Sequence, residues 1–207
     1  LYYTLLEELG EGNSDSLAQL RPAEERSNCL LVERPNGEGY YKEAPNYDWG
    51  YAVARNFIYT TAKKAKIESL KKSSYGPLQE IATKISTELY YHQLHWTTWF
   101  KQLFTATEES RSRMTKALEE VMKDTGDLFE FGDIAPRLQS FELIESADAL
   151  KERWTAIIKP TFEAINIDLP ALPTPTLNGR QGQHTDDLAS AIDTMSEVYR
   201  TDLTTAW

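Results

Sequence analysis

The chain has 207 residues, of which 41% are apolar and 26% are charged. This composition is typical of a globular protein and excludes a disordered one. The formal net charge of −10 repels phosphate backbones, and nucleic-acid binding requires a clustered basic surface. The densest basic run, at Lys63, Lys64, Lys66, Lys71 and Lys72, is expected to form a solvated helix face. We therefore predict no nucleic-acid partner.

Cys29 is the only cysteine, which excludes an internal disulfide and is typical of a reducing cytoplasm. No apolar run approaches the roughly 20 residues that span a bilayer, so we predict a cytoplasmic protein that does not bind membranes. The sequence begins at Leu1, without a methionine and inside a helical pattern. We expect the first core helix to be truncated at its N-terminus.

Glycine and proline divide the first half of the chain into helical segments. We predict a helix over 1–9, stopped by Gly10, and a second over 14–32, stopped at Pro35-Asn36-Gly37. The stretch 38–48 is rich in tyrosine and is predicted to be an irregular surface segment. Helix resumes at Trp49 and continues to about Lys72.

A long helix is predicted over 77–104, since Pro77 suits a first helical turn. Apolar residues and one histidine recur there at steps of three and four, which predicts one face packed along a bundle. That stripe consists of Leu78, Ile81, Ile85, Leu89, His92, Trp96, Trp99 and Leu103.

Three more helices follow. Thr105 and Glu108 form a capping-box pattern at the start of the first. The second spans about 146–165, with Leu150, Trp154, Ile157 and Ile158 facing inward, and Pro160 is expected to kink or end it. A proline-rich connector over 169–182 precedes the last helix, which starts at Thr185 and buries a stripe of Leu188, Ala191, Ile192, Met195, Val198 and Tyr199. These patterns predict an all-α bundle forming a single domain over 1–207.

Helical bundles of the ferritin-like kind hold two metal ions with a Glu-x-x-His pair on each of two helices. The sequence contains no such pair. Glu88, His92 and His95 share one helix face and are the best metal-ligand candidates. We favour a different interpretation, in which Glu88 and His92 form a hydrogen-bonded polar pair in the core. We predict no metal site, no bound cofactor and no catalytic residue.

Two segments are candidate partner contacts. Tyr40, Tyr41, Tyr47 and Trp49 crowd a polar stretch, and aromatic residues are enriched at protein interfaces; the alternative is that this stretch folds back on its own bundle. Arg180 and His184 lie in a flexible loop before a helix N-terminus, which could bind an anion. The alternative there is that the loop caps the helix and packs on a neighbour.

Several strings along the chain carry a more specific signal. They are Asn28–Gly37 (NCLLVERPNG), Ala54–Phe57 (ARNF), Tyr91-His92 with His95, Thr107–Met114 (TEESRSRM), Thr125–Phe129 (TGDLF), the glycine-rich Gly179–Thr185 segment and the terminal Trp207. In this order they resemble the C-subunit family of bacterial phenylacetyl-CoA oxygenases, the ring-epoxidising phenylacetyl-CoA monooxygenases. The resemblance extends over nearly the whole chain, and by comparison with the family the stretch 38–48 is expected to be an insertion.

The resemblance implies a ferritin-like fold that lacks the metal ligands. It further implies a structural subunit that pairs with a di-iron A subunit, which epoxidises the ring of phenylacetyl-CoA, together with a B subunit and a reductase. Such a protein is expected in homo- or hetero-oligomers. The alternative hypothesis is a self-sufficient di-metal oxygenase that uses Glu88, His92 and His95 with carboxylates such as Glu7, Glu8, Glu119 or Glu130.

Overall fold

The structure, a computed structural model, describes residues 2–38 and 46–203. The α-helices in those ranges are α1 (Tyr2–Glu8), α2 (Ser14–Gln19), α3 (Trp49–Leu70), α4 (Gly76–Ala106), α5 (Glu108–Lys123), α6 (Ala135–Ser140), α7 (Ala147–Ala164) and α8 (Asp186–Ser196). A two-residue antiparallel ladder joins β1 (Gly37–Glu38) to β2 (Asn46–Tyr47). The all-α, ferritin-like bundle predicted from the sequence is confirmed.

Helix α3 is the centre of the bundle. It packs against α4, α5 and α7, and α4 also packs on α5. Its buried residues lie around most of its circumference, including Val53, Phe57 and Ile58. Phe57 stacks on Phe100 of α4, with ring centroids 4.2 Å apart. A helix that buries apolar side chains on several sides must be surrounded by other elements.

A buried hydrogen bond fixes α7 against α3. The indole Nε1 of Trp154 donates to Thr61 Oγ1 at 3.0 Å, while the Thr61 hydroxyl donates to the carbonyl of Ile58 at 2.8 Å. Both side chains are therefore satisfied inside the core, which a buried indole requires. The predicted inward positions Leu150, Trp154 and Ile158 of α7 are confirmed as buried.

The predicted helix over 14–32 is wrong, because α2 ends at Gln19. Pro22 lies shortly after that end, and proline disfavours helical geometry in the residue before it. The Arg26 guanidinium donates to the carbonyls of Ala18 and Arg21, each at 2.9 Å. A side chain thus occupies carbonyls that the helix leaves free, and only short 3-10 turns follow, at Ala23–Glu25 and Leu30–Val32.

Two predicted helix boundaries are also corrected. The capping box of α5 uses Thr107 and Ser110, whose side chains and backbone N–H groups bond reciprocally. Thr105 instead lies inside α4 and donates to the carbonyl of Lys101. Helix α7 continues through Pro160 to Ala164. Pro160 and Ala156 are exposed, so water can bond the carbonyl that the proline leaves free.

Some predicted inward positions face solvent. The buried side chains of α4 are Ala82, Leu89, Phe100 and Phe104. His92 does not lie on the face that these residues form, and it is exposed. In α8, Leu188 and Ile192 are buried, whereas Met195 and the following Val198 are 49% and 60% exposed. Each residue advances about 100° around the helix axis. A pattern of three- and four-residue steps therefore defines the direction of the buried face only to within about 60°.

Candidate functional site

The metal-ligand candidates lie on the outside of α4. Glu88, His92 and His95 are all exposed, and the His95 ring meets the Trp96 ring edge to face at 4.6 Å. The expected core pair of Glu88 and His92 is therefore wrong: both side chains point to solvent. This face of α4 points away from α3. Leu89 and Phe100, on the other side of α4, are buried where the two helices pack.

The carboxylates that a di-metal site would need do not join these histidines. Glu7, Glu8 and Glu119 are exposed, and Glu130 is half-buried near the end of the segment that follows α5. Across residues 2–38 and 46–203, no group of three or more His, Cys, Asp or Glu side chains could hold a metal ion. The described residues therefore do not fit a di-iron centre of the ferritin-like kind.

A buried carboxylate, that of Glu33, joins the segment before α3 to the start of α8 through hydrogen bonds. Glu33 is 4% exposed and accepts hydrogen bonds from Asn28 Nδ2 at 2.8 Å, from the Thr185 N–H at 2.8 Å and from the Thr185 hydroxyl at 2.9 Å. His184 Nδ1 lies 2.6 Å from the same carboxylate. A buried charge is tolerated only when donors surround it in this way.

His184 is used inside the chain. Its side chain is 5% exposed, and its two ring nitrogens face Glu33 and, at 2.8 Å, the carbonyl of Arg26. The Glu33 carboxylate also occupies the N-terminus of α8 through Thr185, where an external anion would otherwise bind. The loop therefore packs on a neighbouring segment, as in the alternative to anion binding, and Glu33 of that segment rather than a side chain of the loop bonds the start of α8.

Asp127 forms a second contact between the same two segments. It is fully buried and accepts from the Leu30 N–H at 3.1 Å and from the Gly179 N–H at 3.1 Å. Burial raises the pKa of this carboxyl, while the two N–H groups act in the opposite direction. A Cβ at Gly179 would lie 2.2 Å from the Asn28 carbonyl oxygen, so only glycine allows this approach.

Arg180 joins the same region from the connector. Its guanidinium donates to the Ser27 carbonyl, and its backbone N–H donates to Asn178 Oδ1 at 3.0 Å. We name the network around Glu33 and Asp127 the carboxylate clamp. It holds residues 26–33 against residues 178–185, and its two acids were not identified from the sequence.

Lys66 departs from the solvated face expected for the basic run. Its ammonium lies 5.6 Å from the Phe129 ring and 5.8 Å from the Phe131 ring. Burial, with the nearby positive charge of Arg180, lowers its pKa to about 8. The two rings offset part of this cost, because aromatic faces attract cations.

The aromatic candidates are only partly described. Tyr40 and Tyr41 lie outside the described residues, and only the backbone of Tyr47 is described, in β2. Trp49 opens α3, is 40% exposed, and packs its ring against Trp96 and Trp99 at 6.1 and 5.8 Å. One edge of Trp49 borders a cleft of about 670 Å³ between the start of α3 and the side of α5.

Comparison with known proteins identifies the family. The profile of the family described as phenylacetic acid catabolic protein matches residues 1–207. The chain belongs to this family. The match extends from the first residue to the last, so the assignment does not rest on a short motif.

A curated relative agrees with the phenylacetic acid catabolic assignment. The chain is 26% identical over 191 residues to the C subunit of the 1,2-phenylacetyl-CoA epoxidase of Escherichia coli strain K12, an alignment that covers 92% of this chain and 73% of the relative. The family predicted from the sequence is confirmed. Within residues 2–38 and 46–203, none of the helices combines the length and the apolar composition that a membrane-spanning segment needs.

The clamp residues of this phenylacetic acid catabolic protein lie in strings that carry the family resemblance. Glu33 belongs to 28–37, Asp127 to 125–129, and His184 with Thr185 to 179–185. These three strings are far apart in the sequence and meet at the clamp. The strings that carry the family resemblance therefore include Glu33 and Asp127, although the resemblance did not indicate that these two acids are buried.

Proposed function

We infer that this chain is a non-catalytic subunit of a multicomponent phenylacetyl-CoA epoxidase in phenylacetate catabolism. It pairs with a catalytic subunit that carries the di-iron centre, and it stabilises that subunit by contact between helical bundles. It binds no metal or cofactor of its own. The B subunit and a reductase complete the assembly.

The relationship to the C subunit of the Escherichia coli epoxidase supports this assignment. That protein is one subunit of an enzyme, so its relatives are expected to act within an assembly. The full-length family match supports the same role in phenylacetate breakdown.

The lack of a Glu-x-x-His pair in the sequence is the observation that carries the non-catalytic part of the proposal, and the position of the α4 histidines in the described residues agrees with it. A ferritin-like di-metal site lies between helices, where inward carboxylates and histidines converge. Glu88, His92 and His95 instead face solvent, and α3 offers Phe57 and Ile58 to the interior. Metal–ligand bonds are about 2 Å long, so the ligands of one ion must converge on a single point. These three solvent-facing groups lie on one helix and do not converge with ligands from a second helix.

The alternative, a self-sufficient di-metal oxygenase, requires the same three residues to act as ligands. It is disfavoured because the chain has three histidines in total and one of them, His184, is bonded to Glu33 in the clamp. The two hypotheses differ in what they predict for His92 and His95.

Reconstitution with the catalytic subunit tests the proposal. The chain, co-expressed with the di-iron subunit of the same enzyme, is expected to co-purify with it and to raise phenylacetyl-CoA-dependent oxygen uptake. A His92→Ala, His95→Ala double variant should retain activity within about twofold, because removal of true metal ligands costs orders of magnitude. Loss of activity in the double variant, with co-purification unchanged, would support the alternative instead.

A further inference from the structure

His184 lies between two hydrogen-bond acceptors, one for each nitrogen of its ring. Nδ1 is 2.6 Å from Glu33 Oε1, and Nε2 is 2.8 Å from the backbone carbonyl oxygen of Arg26. A carbonyl oxygen and an ionised carboxylate can only accept, and a neutral imidazole has a single N–H. Both ring nitrogens donate only in the imidazolium form. The two contacts are therefore satisfied together when the ring of His184 is doubly protonated and Glu33 is ionised.

The other donors to Glu33 place the shared proton on the ring rather than on the carboxyl group. Glu33 Oε1 also accepts from Asn28, and Oε2 accepts from both the N–H and the hydroxyl of Thr185. Three further donors favour the ionised carboxylate. The side chains of Glu33 and His184 are 0% and 5% exposed, so each charge depends on the other for compensation.

The charged side chains on the surrounding elements do not replace His184 as the partner of Glu33. The cations there have other partners: Arg26 bonds the carbonyls of Ala18 and Arg21, Arg34 pairs with Asp124 and Asp187, Arg55 bonds the Arg34 carbonyl, and Arg180 bonds the Ser27 carbonyl. The acids there are Asp127, whose charge repels that of Glu33, Asp186 and Asp187 in the first turn of α8, and the exposed Glu24 and Glu25. Within residues 2–38 and 46–203, His184 is thus the one cationic partner of Glu33.

Loss of the second ring proton would break this contact. Whichever nitrogen kept its hydrogen, the other would direct a lone pair at an oxygen 2.6 or 2.8 Å away, and Glu33 would remain buried without a cation. We propose that the contact between Glu33 and His184 is a proton-dependent switch. Residues 178–185 and the start of α8 stay docked on residues 26–33 while His184 is protonated, and they are released when its ring loses a proton.

The direction of the pH dependence follows from the proton that docking requires. A solvated histidine loses its ring proton at about pH 6.5, so above that pH the released loop binds fewer protons than the docked loop. Release is then linked to the loss of one proton, and its equilibrium constant rises by up to about tenfold per pH unit. Rising pH therefore favours release, and falling pH favours docking.

Hydrogen exchange of the Thr185 amide measures release, because this N–H donates to Glu33. Its protection factor in the purified chain should fall about five- to tenfold between pH 6.0 and 7.5. That range lies below the Lys66 pKa of about 8, so loss of the Lys66 proton, which has the opposite effect on stability, contributes little. The Ile58 amide in the buried part of α3 should keep a constant protection factor.

Two variants separate the switch from general destabilisation. His184→Gln keeps a side-chain N–H donor but has no titratable proton, so its Thr185 protection factor should be lower and constant over the same pH range. His92→Gln removes an exposed histidine of α4 and should keep the wild-type pH dependence. A Thr185 protection factor that is constant in the wild-type chain, or that falls equally in His184→Gln, would overturn the proposal.

Nitrogen NMR of the His184 ring tests the same proposal without a substitution. In the wild-type chain at pH 6.0, the chemical shifts of Nδ1 and Nε2 should both be those of protonated nitrogens. A docked chain, with Thr185 protected from exchange, in which one ring nitrogen of His184 carries no proton would contradict the requirement for imidazolium and with it the switch.

Discussion

At the scale of single residues, the carboxylate clamp shows how a buried acid can connect distant parts of a chain. Glu33 receives donors from Asn28, His184 and Thr185, and its charge is compensated locally. Removing one partner of such a network leaves the others buried and unpaired, which costs more than the lost hydrogen bond.

Replacing Glu33 by glutamine should therefore destabilise the protein strongly. The amide places an NH₂ group against donors, so at least one contact is lost and another becomes repulsive. We expect the free energy of unfolding in urea to fall by about 2 to 4 kcal/mol. Glu119→Gln, the same change on an exposed residue of α5, should change it by less than about 0.5 kcal/mol; equal effects at both positions would contradict the clamp.

Lys66, in contrast to Glu33, is expected to lower the stability of the folded protein, because burial of its charge beside two aromatic rings costs free energy. Because the folded pKa of about 8 lies below the ordinary lysine value of 10.5, the unfolded chain binds more protons between these values. The Lys66 contribution to stability therefore rises as pH increases from 8 to 10.5. Lys66→Met should stabilise the protein by about 1 kcal/mol at pH 7.

Denaturation at several pH values checks this prediction. The difference in free energy of unfolding between Lys66→Met and the wild type should shrink as the pH rises from 8 to 10.5. Lys63→Met alters an exposed residue of the same helix and should show a constant difference. A difference that grows with pH would mean that the sign assigned to Lys66 is wrong.

At the scale of elements, the close approach of the connector to residues 26–33 depends on glycine. A Cβ at Gly179 would meet the Asn28 carbonyl, whereas one at Gly76 would meet nothing within 4 Å. Gly179→Ala should lower the free energy of unfolding by about 2 kcal/mol or more, while Gly76→Ala should be neutral or slightly stabilising. Hydrogen exchange of the Leu30 and Thr185 amides should accelerate only in Gly179→Ala.

Sequence patterns predicted the long helices because hydrophobic periodicity is a local property of the chain. The start of α3 at Trp49 and the buried positions of α7 followed from spacing alone. The end of α2 did not, because the Arg26 side chain, which bonds the Ala18 carbonyl of α2 and the Arg21 carbonyl just after the helix, comes from further along the chain. His92 was placed inside for a similar reason: the width of the buried stripe depends on which neighbours α4 has, and a single sequence does not contain that information.

The site was predictable only in part, for the same physical reason. The lack of a Glu-x-x-His pair is visible in the sequence. The clamp, in contrast, consists of contacts between residues up to about 150 positions apart, such as Glu33 and Thr185. Long-range hydrogen bonds leave no periodic signal, so Glu33 and Asp127 resembled ordinary surface acids.

At the scale of the whole molecule, the chain is a ferritin-like bundle whose described interior is largely apolar. Phe57, Phe100 and Phe162 pack together between α3, α4 and α7. The bundle is thus stabilised by aromatic packing, and its polar clamp lies in the segments outside the long helices. This interior agrees with the proposed role, in which the chain supports a partner subunit without chemistry of its own.

Metal analysis of the purified chain tests the central claim most directly. After expression in iron-supplemented medium, mass spectrometry of the metal content should find far less than one iron per chain, with the same result after anaerobic incubation with ferrous iron and desalting. About two irons per chain, the content of a ferritin-like di-metal site, would contradict the account, and their loss in His92→Ala would locate them on α4.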